Sequence, residues 1–341
     1  MSNGLRALLG GLGLAIVGIT VYLSPAVSIT RAVLGLLVAM TLWFVWRWPQ
    51  LERRLAGGEA PSGAMRAGSA GPRPFDLAVG FITNFFDTLG IGNFAPTTAA
   101  LKFTRRIPDE DIPGTLNVGH ALPVLTEALI FIAAIVVDPR LLIAMIAASV
   151  LGAWLGAGVV ARMPRRAIQL GMGIALAIAA ALFITTRPAG GSATALPGTF
   201  FVAALVGNFV LGALMTLGIG LYAPCLIMLS LMGLNPRAAF PIMMGSCAFL
   251  MPIGGMRFVR TRRYSTPVAL GFAIGGPPAV LIAGYLVKSM PLEWLKWLVA
   301  CVVLYAAVMM LTSALRRAPA SDPAPGRERL AVAERTQKAS D

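Results

Sequence analysis

Charge is scarce in this chain, and most catalytic side chains are scarcer still. Only 12% of its residues are charged, about half the share of a soluble domain. A single histidine, His120, and three cysteines, Cys225, Cys247 and Cys301, are all it offers for metal binding or redox chemistry. The cysteines lie in apolar stretches with no CxxC, so neither a disulfide framework nor a metal cluster is expected, and no cofactor. No GxxxxGK[ST] phosphate loop is present, which argues against direct nucleotide use. Without HExxH or a nucleophile motif an enzyme is not expected either. The net charge of +14 is not spread among exposed aromatics, so nucleic acid is not an expected partner.

Long hydrophobic runs are abundant instead. Apolar residues make up 57% of the chain and fall in runs of about 20, the length of a membrane-crossing helix. The segments are 5–23, 29–46, 75–103, 115–137, 141–161, 166–186, 198–233, 238–256, 266–287 and 292–314. The first follows Arg6 and lacks a small-x-small cleavage site, so it is expected to be a retained helix rather than a signal peptide. The expected fold is an all-α polytopic membrane protein with about 8–10 transmembrane segments in the lipid bilayer. Residues 1–46 form two leading helices, and 47–74, rich in Gly, Pro, Ser and Arg, form a flexible basic linker. A core follows in two parts, 75–190 and 191–315, and 316–341 is expected to be a disordered tail.

The two parts of the core are copies. Thr88-Leu-Gly-Ile-Gly-Asn-Phe-Ala-Pro96 aligns with Thr216-Leu-Gly-Ile-Gly-Leu-Tyr-Ala-Pro224, identical at seven of nine positions with an offset of 128. Pro108 maps to Pro236 and Pro113 to Pro241 in the same register. Such self-similarity marks a duplication.

Each copy contains an interrupted segment. Residues 198–233 would span roughly 54 Å as one helix, against a hydrocarbon core of about 30 Å. A helix that breaks at Gly90-Ile-Gly92 or Gly218-Ile-Gly220 and restarts with Pro96 or Pro224 in its first turn accounts for the length. The segment then either crosses once or returns as a re-entrant hairpin. Hairpins place 22 of the 28 Lys and Arg residues on one face, leaving Arg31, Arg140, Arg187, Arg237, Lys288 and Lys296 on the other. Positive loops stay in the cytoplasm, so hairpins are expected, with both termini cytoplasmic. An odd number of crossings per copy then makes the copies inverted, the pattern of secondary transporters.

Unpaired backbone at bilayer depth must line a cavity or be buried in protein. The restarting helices would expose free N–H groups near Phe94-Ala95 and Tyr222-Ala223, where anions bind. Intramembrane Asp87, His120 and Glu127 have no counterparts, mapping to Met215, Ala248 and Gly255. Asp87, at the C-terminal end of its half-helix, is the candidate proton carrier. Asn84, Thr88, Thr97, Asn117, Thr216 and Tyr222 are further candidate substrate contacts. Arg257 is expected to be an interfacial anchor rather than a ligand.

The run Asn84-Phe-Phe-Asp-Thr-Leu-Gly-Ile-Gly92, the duplicated Gly-x-Gly-x-x-x-Pro loop and Leu234-Asn-Pro-Arg-Ala-Ala-Phe-Pro241 resemble the TauE/SafE sulfite-exporter family over about 75–314. That resemblance implies an inner-membrane, multi-pass permease for sulfite, thiosulfate or organosulfonates. It places substrate contacts at Gly90, Gly92, Pro96, Gly218, Gly220 and Pro224. Asn93 and Leu221, where small residues are common, depart from the family pattern. A passive anion channel is the alternative function, with a membrane-embedded enzyme behind it. A homodimer is left open as a further partnership.

Overall fold

A computed structural model describes residues 28–56, 71–160, 164–186, 193–215 and 219–315. The segment 5–23, residues 57–70 of the linker, the tail 316–341, Thr216 and Gly218 lie outside the described residues. Among the described residues every regular element is a helix, joined by turns and short irregular connections.

Helix α1, Ser28–Ala56, runs ten residues past its apolar segment. Leu37, Thr41, Phe44, Trp48 and Leu51 are buried on one stripe at helical spacing, and this stripe carries the helix on through its polar end. Trp48 Nε1 donates to the Tyr264 hydroxyl at 2.9 Å, Tyr264 donates to Glu52, and Arg262 donates to the Leu55 carbonyl. The second leading helix is thus packed into the core, not merely tethered to it.

The first copy comprises α2 (Pro74–Thr88), α3 (Phe94–Phe103), α4 (Ile112–Gly119), α5 (Ala121–Ala134), α6 (Pro139–Val160) and α7 (Arg165–Thr186). The second comprises α8 (Gly198–Met215), α9 (Tyr222–Leu231), α10 (Pro236–Thr261), α11 (Thr266–Ser289) and α12 (Leu292–Leu315). The segment predicted as 115–137 is divided at His120, because Pro123 has no N–H to give the Gly119 carbonyl.

Hydrogen bonds decide between hairpin and single crossing. Arg106 donates to Asp76 through Nε at 3.0 Å and Nη2 at 2.8 Å, so the chain leaving α3 has returned to where α2 began. One straight crossing would set these residues roughly 45 Å apart. The second segment closes likewise, with Asn235 N–H donating to the Ala193 carbonyl at 2.9 Å. Asp138 N–H donates to the Thr194 carbonyl at 2.9 Å, which puts the α5–α6 turn on the same face as the second hairpin's base. Ser265 N–H donates to Thr115 Oγ1 at 2.9 Å, which puts the α10–α11 turn on the face of the first. The two hairpins therefore enter from opposite faces, and the copies are inverted.

The copies also interlock. The most extensive contacts pair α2 with α11 and α8 with α6, two symmetry-equivalent combinations, while α7 pairs with its equivalent α12. Close approach needs small residues: a Cβ on Gly212 would stand 2.1 Å from the Ser149 carbonyl oxygen. Among the described residues seven helical stretches are long and apolar enough to cross a membrane. Among them 109–134 and 236–261 are the most buried and form the centre against which both hairpins lean. The protein is a multi-pass membrane protein.

Two measurements test this arrangement. In a Cys301→Ser background, Thr104→Cys and Ala195→Cys should react with an impermeant thiol reagent from opposite faces of a sealed vesicle. R106Q strands the fully buried Asp76 carboxylate and should cost about 3 kcal/mol; D76N/R106Q should recover more than half of the lost thermal stability.

Candidate functional site

Both broken segments restart at one small cavity. Helices α3 and α9 begin at Phe94 and Tyr222 after caps at Asn93 and Leu221, and neither cap side chain bonds the helix. Pro96 and Pro224 follow at the third helical position. Thr97 N–H bonds Asn93 and Cys225 N–H bonds Leu221, so the two N–H groups ahead of each proline have no acceptor within the helix. The cavity holds about 30 Å³, room for a water or two. Asp87, Gly92 and Asn93 line it from the first hairpin and Gly220, Leu221 and Tyr222 from the second. Met215, Cys247 and Met251 supply a soft apolar wall.

The two breaks differ in backbone. Gly90 and Gly92 adopt φ of 98° and 89°, a region open mainly to glycine, whereas Gly220 shows no such conformation. At both Gly92 and Gly220 no atom lies within 4 Å of where a Cβ would stand. Bare backbone therefore forms two walls of the cavity.

Behind the cavity lies a buried polar network. Glu127 accepts from Thr88 Oγ1 at 2.9 Å and from the Tyr222 hydroxyl at 2.8 Å, joining the two hairpins through one carboxyl. Thr88 Oγ1 also lies 2.8 Å from the Asn84 carbonyl. Its single hydrogen serves one acceptor at a time, so a proton on Glu127 would satisfy both contacts at once. Asn93 Nδ2 donates to Asp87 at 2.6 Å and to Asn84 Oδ1 at 3.2 Å. Asn84 Nδ2 is committed to the Gly80 carbonyl at 2.6 Å, so its oxygen faces His120 Nδ1 at 3.0 Å. His120 thus carries its proton on Nδ1, and Nε2 accepts from Thr97 Oγ1 at 3.1 Å. Phe272 stacks on the imidazole with centroids 4.8 Å apart. Among the described residues no ion pair includes Asp87 or Glu127.

Of the candidates named from sequence, Asn84, Asp87, Thr88, Thr97, His120, Glu127 and Tyr222 meet in this network, and Gly92 and Gly220 face the cavity. Pro96 and Pro224 stand in the restarting turns, while Gly90 shapes the break against Leu226. Asn117 stands apart, its amide on the Pro113 carbonyl at 2.8 Å. Cys247, Met251 and Met215 were not legible as lining residues, since apolar side chains on apolar helices carry no sequence signal.

Alanine at the two glycines separates backbone strain from space. Gly92→Ala should lose about 1–2 kcal/mol of stability through its positive φ, and Gly220→Ala should lose much less. Both add a methyl to the cavity, and thermal unfolding of purified protein reads the difference.

A family model described as "Sulfite exporter TauE/SafE" matches residues 1–183 and 199–336. No curated protein and no solved structure matches the chain. The family match spans nearly the whole chain and includes both hairpins that converge on the cavity; the chain belongs to the TauE/SafE sulfite exporter family of membrane transporters.

Proposed function

We propose that the protein is a secondary transporter of small sulfur oxyanions, sulfite, thiosulfate or organosulfonates, coupled to protons through Asp87. One observation carries this reading. Two half-helix N-termini of opposite membrane origin face one cavity, and helix N-termini favour negative charge. Backbone N–H groups can hold an oxyanion there with no buried Lys or Arg, whose cost in the membrane would be high.

Asp87 gives the coupling a physical basis. It lines the same cavity, and an anion beside an ionised carboxylate is repelled strongly in a medium of low dielectric. Anion and proton therefore occupy the site most cheaply together. Asn93, bonded to Asp87, and the chain Asn84–His120–Thr97 hold the carboxyl in place. Glu127 links the hairpins and transmits a change in one to the other.

Alternating access follows from the inverted copies, each able to take the shape of the other. Hairpins are expected from sequence to put 22 of the 28 basic residues on one face; that face is assigned to the cytoplasm, with the protein in the inner membrane and both termini cytoplasmic.

Flux into liposomes containing purified protein tests the reading. Saturable uptake of at least one of sulfite, thiosulfate and methanesulfonate should rise with an inward proton gradient. D87N should abolish the response to the gradient while retaining anion exchange, and G92V/G220V should abolish both. No flux of any of these anions by folded protein would overturn the assignment.

A further inference from the structure

The transport path described so far leaves one sequence motif unused, Leu234-Asn-Pro-Arg-Ala-Ala-Phe-Pro241. In the structure it closes the second hairpin and opens α10. Asn235 Oδ1 accepts from Arg237 N–H at 3.0 Å, capping the helix, and Pro236 takes the first helical position. Together they fix Arg237 in the first turn.

Arg237 is incompletely satisfied there. Its Nη2 donates to the Met290 carbonyl, but Nε is buried with no acceptor. A buried N–H of a cation without an acceptor is costly, so the group is held ready for a ligand. It borders a cavity of about 340 Å³ whose other polar lining comes from Lys288, Thr194 and Asn235, over Ile135 and Ala238. Among the described residues no carboxylate lines it. Asp138 is near, through its backbone bond to Thr194, but its carboxylate caps α6, accepting from Arg140 and Leu141 N–H at 2.8 and 2.9 Å.

The pocket is not a by-product of duplication. By the offset of 128, Arg237 corresponds to Asp109, which pairs with Lys102 at 2.9 Å on the opposite face. Of the five basic residues that the described residues place on this face, two line one cavity. The same helices that border this cavity lead to the central one. Along α5, Ala134 is seven residues from Glu127, roughly 10 Å; along α10, Arg237 is ten residues from Cys247, roughly 15 Å.

We propose that this Arg237–Lys288 cavity is a capture site for a small tetrahedral oxyanion at the face opposite the basic one. It is the outer stage of the path whose inner stage is the paired-break cavity. The inference rests on the anion-transport reading for its role. Its ligand class follows from the guanidinium, whose planar fork matches an oxyanion. At more than ten times the volume of the central cavity, it has room for an ion still carrying water. A phospholipid headgroup presents the same chemistry, and the test separates the two.

In lipid-depleted, detergent-purified protein, phenylglyoxal modification of Arg237, followed by mass spectrometry, should be slowed several-fold by thiosulfate, sulfate or methanesulfonate. Arg140, exposed on the same face, should be unaffected. Protection by phosphatidylglycerol alone would make the pocket a lipid site and overturn the proposal, as would no protection at all. In oriented vesicles, R237Q and K288Q should raise KM for anion offered at that face by about tenfold and change the maximal rate little. Lys288 is exposed and its side chain makes no hydrogen bond among the described residues, so K288Q reads the site without loss of a native contact. Wild-type flux with an unchanged KM in both variants would overturn the capture site and leave transport standing. Protection of Arg237 without any flux would do the reverse.

Discussion

A helix interrupted inside a bilayer leaves N–H and C=O groups that no water in the hydrocarbon can satisfy, and the rest of this structure is arranged around two such interruptions. The groups left unpaired at the two breaks must be enclosed by protein or turned to a cavity. Enclosure is supplied crosswise: α11 of the second copy runs beside α2 of the first, and α6 beside α8. These helices approach closely enough that a Cβ on Gly271 would stand 2.4 Å from Asp76, and one on Gly152 1.9 Å from the Phe209 carbonyl oxygen. The α4–α5 and α10 stretches fill the centre, and both restarting turns line the cavity between the breaks.

Symmetry of scaffold goes with asymmetry of chemistry. The first copy contributes Asp87, His120 and Glu127, whose counterparts are Met215, Ala248 and Gly255. The second contributes Tyr222, which reaches Glu127 across the interface between copies. A single carboxyl therefore bridges both hairpins, so α2 and the restarting α9 cannot shift independently without breaking one of its bonds. At the bases of the hairpins the asymmetry recurs with opposite sign, Arg237 standing in the second copy where the first has Asp109.

Much of this was legible in the sequence because its signals are local. The repeated TLGIG, the prolines four residues beyond each second glycine and the distribution of Lys and Arg give the duplication, the breaks and the hairpin form without coordinates. The apolar runs give the membrane class. What was not legible depends on which helix faces meet. Helical spacing put Glu127 and His120 near one face, but it says nothing of Thr88 approaching from α2 or Tyr222 from α9. Asn117 shares its helix with none of the cavity's lining and turns to its own backbone instead. The difference between Gly92 and Gly220 was hidden too, because identical residues in aligned positions carry no local signal of which one takes a positive φ. The helical end of α1 was masked by Pro49 and three arginines, which obscured the buried stripe ending at Trp48 and Leu51.

The crosswise packing of the copies has a consequence for biogenesis. The first hairpin, α2 and α3, is made early, but the helix that walls it, α11, begins at Thr266, nearly 180 residues after Thr88. At about 5–20 residues per second, translation leaves that broken backbone without its wall for roughly 10–40 s. A hairpin with exposed amides cannot rest in lipid for that time at low cost. Its insertion is therefore a late event, held at the translocon or the interface until the second copy arrives. The two copies can be inserted in sequence, but they must fold together.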